Sequence, residues 1–378
     1  MDKTTIKRLI GELSSSFIGR EEEARIAVLS LVTKSHCVLL GPPGVGKSAI
    51  LGKLAEAING TYYHYLMGKY TIPDELVGPI DPIEYRNGKF KRLLAGKLPE
   101  AHIAFIDEVF KGSSETLNTL LNIMNERTFT DVDGTRHKVP LISMFTASNE
   151  LPQSDDLQAF YDRILIKHFV KGVSSDSLEK GLLLNIGLNN APIKSRISMQ
   201  ELEKFYGDIW SYMAQNAPAI AKMVSQLVTV MKQEGVVISD RTAMNPSYLP
   251  MLVAANSYIF DLDFKKSAIS MSKYVLQNNE EQMDAYRKAL DSIYPAELRS
   301  AQEKIQKASA SLASMNLKDG QEAALQAIEQ ASALMKKKEV LELYGEEIKE
   351  IVADAERMVA EVRMVAEKMQ SMKVRVPA

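Results

Sequence analysis

Residues 41–48 read GPPGVGKS and follow the apolar run HCVLL at 36–40. No other stretch constrains the fold as tightly. Its glycines let the backbone turn where side chains would block it, and helical spacing begins near Lys47, so the loop joins a strand to a helix. Such a loop cups an anion. Its N–H groups converge, the positive end of the helix faces the same point, and Lys47 adds a point charge. Gly41, Pro42, Pro43, Gly44, Val45, Gly46, Lys47 and Ser48 are the candidate phosphate-contacting residues, with the Ser48 hydroxyl placed for Mg²⁺. The alternative is a chance glycine turn, and the strand before it, the Lys-Ser pair and the helix after it weigh against that.

Hydrolysis of a bound triphosphate such as ATP needs a carboxylate element as well. HIAFIDE, residues 102–108, is an apolar strand that ends in two acids. Asp107 would orient the magnesium, and Glu108 would take a proton from the attacking water. A solvated acidic pair at a strand end is the plainer reading of those residues alone. Their distance of about 60 residues from the phosphate loop, typical of the pairing such sites need, favours the chemical one.

Short apolar runs alternate with helical patterns from residue 1 to about 172, which predicts an α/β domain with a mostly parallel sheet and helices on both faces. The expected strands are 36–40, 61–66, 102–106, 141–147 and 164–170, several of them continuously apolar as doubly covered strands are. Residues 68–97, with Pro73, Pro79 and Pro82, read as an insertion outside the core layers, and 128–139, around Asp133-Gly134, as a β-hairpin.

Past Gly172 the strands are expected to stop, giving an all-helical second domain at 173–279, broken at Pro192, Pro218, Pro246 and Pro250. Residues 280–378 form a helical extension in this reading. Leu341, Tyr344, Ile348, Ile351, Ala355, Met358, Val362, Val365 and Met369 step by threes and fours, and Leu298, Ala301, Ile305, Ala308, Leu312 and Met315 repeat the steps earlier. A break at 316–320 would separate the two seams in a hairpin or small bundle. The seam is satisfied either within one chain or partly by another subunit or client.

The chain has 378 residues, enough for two or three domains. Its 46 basic and 48 acidic residues leave a net charge of −2, which argues against a protein that coats nucleic acid. His36, His64, His102, His137 and His168 show no metal-ligand spacing, so no protein-ligated metal is expected. No apolar run reaches the ~18 residues of a membrane span. The N-terminal residues lack a secretory pattern, and Cys37 is the one cysteine, so a cytoplasmic location with a buried core thiol is expected.

GPPGVGKS, IDE, SNE (148–150), YDR (161–163) and SDR (239–241) stand in the order used by AAA+ ATPases. The runs YLMGKYTIPDELVGP (65–79), LPEAHIAFIDEVFK (98–111), TLNTLLNIMNERTF (116–129) and FTASNELP (145–152) resemble the MoxR family, and within it the RavA-like branch. The resemblance covers about residues 10–260. It implies that Asn149 is a first sensor helping to hold the attacking water, that Arg163 enters a neighbour's ATP site, and that Arg241 is a second sensor reporting to the helical lid. It equates 68–97 with the helix-two insert and 128–139 with the pre-sensor hairpin. Each residue also has a structural reading: Asn149 as a cap, Arg163 paired with Asp162, Arg241 as a helix-end residue beside Asp240. The prolines of TAMNPSYLP, after Arg241, depart from the family's smoother helix.

The resemblance implies a homohexameric ring that hydrolyses ATP with Mg²⁺ and remodels a protein client, often with a von Willebrand A-domain partner. Two other functions fit an insert-bearing ATPase: a DNA motor or virion-associated ATPase, and a nucleotide-gated scaffold in which hydrolysis is a timer.

Overall fold

A computed structural model describes residues 2–17, 19–131, 133–170, 172, 193–276 and 280–293. Beyond these it describes 300–308 without 302 and 306, 317–335, and 348–364 without 350 and 363. The chain divides into two units, Met1–Tyr286 and Arg287–Ala378.

The strands described in the first unit are β1 (Cys37–Leu40), β2 (Ile58–Asn59), β3 (Tyr62–Leu66), β4 (Ile103–Asp107), β5 (Thr128–Thr130), β6 (Arg136–Lys138), β7 (Ser143–Ser148), β8 (Ile166–Phe169) and β9 (Ile197–Ser198). Five of them make one parallel sheet in the order β3-β4-β7-β1-β8. Every residue of β1 and β7 is buried, as is β4 up to Ile106, which is why these runs are unbroken by polar alternation. Cys37 Sγ lies in this core, and burial pushes its thiol up to about 12.

Helix α1 (Lys3–Ser16) opens the chain under an Asp2 cap, and α2 (Glu21–Val32) packs on both β8 and the helix α3 (Lys47–Ala57) that leaves the phosphate loop. Two short helices, α4 (Pro73–Val77) and α5 (Pro82–Arg86), each start on a proline, where the missing N–H is not needed. Helix α6 (Ser114–Glu126) puts Leu117, Leu120, Ile123 and Met124 into the core, a 3–4 spacing read directly from its sequence. Helix α7 (Asp155–Asp162) precedes β8.

Two expectations need correction here. The 68–97 segment is not wholly outside the core layers: Leu76 and Val77 of α4 are buried with Ala104 and Ile106 of β4, because a proline-started helical turn can aim two apolar side chains inward. Strand pairing does not stop at Gly172 either. β9 pairs in parallel with β2, Ile58 opposite Ile197 and Asn59 opposite Ser198, and so ties the start of the helical region to the end of α3. Two residues of extended chain between loop and helix carry no periodic signal. The hairpin at β5 and β6 forms as expected, with Thr128 opposite Lys138 and Gly134 at φ +83° in its turn.

The helical region contains Met199–Gln215, Ala217–Gln233, Asp240–Met244, Leu249–Phe260 and Phe264–Ser272. Pro218 and Pro250 do not break helices here but begin them, within the first turn. Leu249–Phe260 is buried on nearly all sides, and its Asn256 accepts from Arg25 of α2 at 2.6 Å and donates to Ser267 at 3.1 Å. The helix Glu280–Ile293 is joined to this region by Gln282 Oε1, which accepts from Val237 N at 2.9 Å, and by the Tyr286–Ser272 hydroxyl pair at 3.0 Å.

In the second unit, Ala301, Ala331, Ile348 and Ile351 form one buried cluster, and Ala308, Ala323, Ala324 and Val359 another. The described parts of the two seams therefore meet the alanine-rich face of Leu317–Met335 within one chain. That helix begins at Leu317 and includes Gly320, so 317–320 do not form the expected break: one glycine costs a 19-residue helix only about 1 kcal/mol. Leu298, Leu312, Met315, Leu341, Tyr344, Val365 and Met369 lie outside the described residues, as do 174–192.

Candidate active site

The sheet order explains the site. β4, β7 and β1 are neighbours, and all three run the same way, so Asp107, Asn149 and the loop after Leu40 leave the sheet at one edge. Register fixes their level: Leu40 lies opposite Ser148, and Gly41 N donates to Ser148 O at 3.1 Å.

Gly41 is required by a close approach. A Cβ there would sit 2.4 Å from the carbonyl oxygen of Val170, whose own N–H donates to Leu40 O. Gly46 caps α3 at φ +87°, a conformation that L side chains rarely adopt, and among the described residues no side chain accepts from the helix's first N–H groups. Open space surrounds Gly44 and Gly46. A loop that is glycine on its open side and leads into an uncapped helix start has the geometry to wrap an anion.

Lys47 is buried, and its ammonium donates to Gly41 O at 2.6 Å, Pro42 O at 3.3 Å and Asn149 Oδ1 at 3.1 Å. Burial holds its pKa below the ordinary lysine value, opposed by the nearby carboxylates of Asp107 and Glu108. All three partners are neutral oxygens, so among the described residues the cation has no direct counter-ion, which suits an incoming phosphate.

Ser48 Oγ donates to Asp107 Oδ2 at 3.4 Å. A hydroxyl and a carboxylate facing each other beside an anion cradle are the hard oxygen donors that Mg²⁺ takes, with its remaining positions left to phosphate and water. The residues present therefore fit the ion. Tyr62 stands nearby; burial, and then the Asp107 charge, push its phenol up to about 12.

Glu108 adopts φ +52°, a left-handed backbone that costs a non-glycine residue of order 1 kcal/mol and turns the chain sharply out of β4. Its Oε1 accepts from Asn149 Nδ2 at 2.6 Å, and its Oε2 faces Lys111 Nζ at 3.5 Å. Asn149 thus bridges Lys47 and Glu108. Lys47, Ser48, Asp107, Glu108 and Asn149 form one connected network.

Arg163 and Arg241 are not in it. Arg163, at the end of α7, donates to Ala159 O at 2.6 Å. Among the described residues the alternative Arg163–Asp162 pair does not form; Asp162 instead faces Arg241 at 3.8 Å, bringing the sheet domain and the short helix Asp240–Met244 together. Tyr248, from the proline-bearing run, joins this second cluster: burial raises its phenol, and the charges of Arg241 and Asp162 act on it in opposite senses. Lys111 and Tyr248 went unnoticed in the sequence. For Lys111 a signal existed, its i+3 spacing from Glu108 in a tight turn.

Comparison with known proteins supplies the family context. Residues 4–206 match the model described as the MoxR domain in the MoxR-vWA-beta-propeller ternary systems. An uncharacterized protein of Methanocaldococcus jannaschii is 41% identical over 241 residues, 62% of this chain and 61% of that protein. Chaperone MoxR1 of Mycobacterium tuberculosis is 24% identical over 204 residues, 52% of each chain. The chain thus spans about three-fifths or less of these two curated relatives. The crystal structure of a candidate ATPase from Cytophaga hutchinsonii superposes with a TM-score of 0.60 at 17% identity, covering 77% of this chain and 93% of that one, which establishes the shared fold. Among the described residues no helix is long and apolar enough to cross a membrane.

Proposed function

Since this chain belongs to the MoxR family of AAA+ ATPases, we propose that it hydrolyses ATP to ADP and phosphate as a ring of identical subunits and uses the cycle to remodel a protein partner. The observation that carries the chemistry is the Lys47–Asn149–Glu108 chain of hydrogen bonds beside the Ser48–Asp107 pair. The glycine loop and Lys47 hold the outer phosphates and neutralise charge that grows on them. Glu108 takes the proton of the attacking water, and Asn149 fixes its carboxylate. Ser48 and Asp107 are the residues that would hold Mg²⁺, which supplies charge neutralisation on the β- and γ-phosphate oxygens when bound. Arg163 reaches a neighbouring subunit's site in this reading, and the Asp162–Arg241 contact lets the lid respond to nucleotide.

The partner we propose carries a von Willebrand A-domain, in line with the ternary systems named for the matching family model. Affiliation with the RavA-like branch and a six-subunit ring belong to the same proposal. The test is capture: a Glu108→Gln chain loaded with ATP is used to pull down partners, and mass spectrometry identifies them. Recovery of an A-domain protein that leaves when ATP is replaced by ADP is the expected outcome. Turnover stimulated by single-stranded DNA, with no protein recovered, would overturn it in favour of a DNA motor.

A further inference from the structure

Apolar side chains exposed to solvent are concentrated in one short segment. Leu66, Tyr70, Ile72, Ile83, Tyr85, Phe90 and Leu93 account for half of the 14 large exposed apolar residues among those described, yet they fall within 28 positions. Single exposed apolar residues need no explanation, but a concentration of them does.

The segment is also ordered by its own backbone. Asp81 caps α5 by accepting from Ile83 N at 2.8 Å, Asp81 N donates to Lys91 O at 2.7 Å, and Leu93 N donates to Pro79 O at 2.9 Å. Gly78 closes the base, where a Cβ would lie 2.1 Å from Leu93 O. Arg92 anchors the loop to the β5–β6 hairpin region through Asp131 at 3.0 Å and to α4 through Asp74 at 2.6 Å. Backbone bonds and this half-buried arginine hold the loop, while Ile83, Tyr85, Phe90 and Leu93 remain 46–70% exposed. The Tyr85 and Phe90 rings meet edge-on at 5.5 Å, and Phe90 borders a cleft of about 430 Å³ shared with Asp133 and His137 of the hairpin.

Basic residues outnumber acidic ones within this segment, while Asp131 and Asp133 line the hairpin side of the cleft. Residues 78–93 hold four basic and two acidic residues in a chain whose net charge is −2. Asp81 is engaged as a helix cap, and Glu84 lies 3.9 Å from Lys89. Among the described residues no carboxylate pairs with Arg86 or Lys91, and both are exposed. We propose that this face, built on Tyr85 and Phe90 and rimmed by Arg86, Lys89 and Lys91, binds an extended acidic segment of a partner protein that carries aromatic or large aliphatic side chains. The apolar anchors enter beside Phe90, and the carboxylates meet the three cations. Binding here is a property of the folded chain and does not require hydrolysis.

Three fluorescein-labelled 16-residue peptides test it by anisotropy against the full chain, without nucleotide and with ADP. One alternates Glu with Leu and Phe, the second has Lys for every Glu, and the third has Ala for every Leu and Phe. The first should bind tightest and weaken as salt rises. Tyr85→Ser combined with Phe90→Ser should weaken it about tenfold or more, and Lys89→Glu with Lys91→Glu should shift preference toward the lysine peptide. These side chains are exposed, so unchanged thermal melts and nucleotide binding in both variants separate loss of the face from loss of the fold. Equal affinity for the three peptides, no binding at all, or indifference to both variants overturns the proposal. So does a Tyr85→Ser/Phe90→Ser chain that changes sedimentation but not peptide affinity, since the face would then join copies of this chain.

Discussion

Asn149 accepts from Lys47 at 3.1 Å through Oδ1 and donates to Glu108 at 2.6 Å through Nδ2. One amide therefore senses both the phosphate-binding cation and the carboxylate proposed as base. Asn149→Ala should cut turnover by roughly 10- to 100-fold, the scale of removing one positioned polar group, while nucleotide affinity changes about threefold or less. Steady-state hydrolysis and equilibrium binding measured on the same preparation check this. A loss confined to affinity would show that Asn149 serves only Lys47.

Lys47→Ala and Glu108→Gln should fail differently. The first removes the cation at the phosphates and should weaken ATP binding by about tenfold or more. The second keeps Ser48 and Asp107 and should bind ATP normally, with turnover down by about 10²–10⁴. Equal loss of binding in the two variants would contradict the division of roles.

Arg163 stands apart from the Lys47–Glu108 network of the same chain and donates to Ala159 O. If it acts on a neighbour, mixing Arg163→Ala chains with Lys47→Ala chains restores hydrolysis at interfaces that pair an intact loop with an intact arginine. An arginine of this kind is worth about 10³–10⁵ in rate, so even a minority of such interfaces is measurable. Flat activity across mixing ratios, with assembly verified by sedimentation, would make Arg163 structural.

His36 sets an acid limit on stability. Its Nδ1 accepts from Met144 N at 2.9 Å, and burial, followed by the adjacent Arg127 charge, holds its pKa well below 6.5. The unfolded chain takes up a proton near 6.5 that the fold refuses, so this contribution is complete above 6.5 and declines as pH falls toward the folded value. The decline should be at most about 1.4 kcal/mol per pH unit. Denaturant titrations at pH 7.5 and 5.5 should show a smaller pH penalty for His36→Asn than for the parent. Identical penalties would rule the histidine out as the cause.

Truncation after Ile293 should leave nucleotide binding intact. The cut keeps Gln282 and Tyr286, which bond to Val237 and Ser272, and removes helices whose buried clusters are internal to the second unit. Calorimetry with ADP on the truncated chain is the measurement. A chain that aggregates or no longer binds would show that the tail supports the ATPase fold.

The sequence alone determined what local rules govern. An unbroken apolar run makes a doubly covered strand, a glycine-lysine-serine loop makes an anion cradle, and Asp-Gly makes a hairpin turn, because each depends on residues within a few positions of one another. For the same reason β1, β4, β7 and the 41–48 loop were legible before any coordinates. The tertiary structure decided whatever depends on chain segments distant in sequence. It set β7 between β4 and β1, which brings Asn149 within reach of both Lys47 and Glu108. It gave Asp162 to Arg241 rather than to its neighbour Arg163, and it paired β2 with β9 across 139 positions, Ile58 to Ile197. None of these carries a periodic pattern, since a hydrogen bond or ion pair between remote segments is selected by the packing of the elements that bear it, not by the residues beside it in the chain.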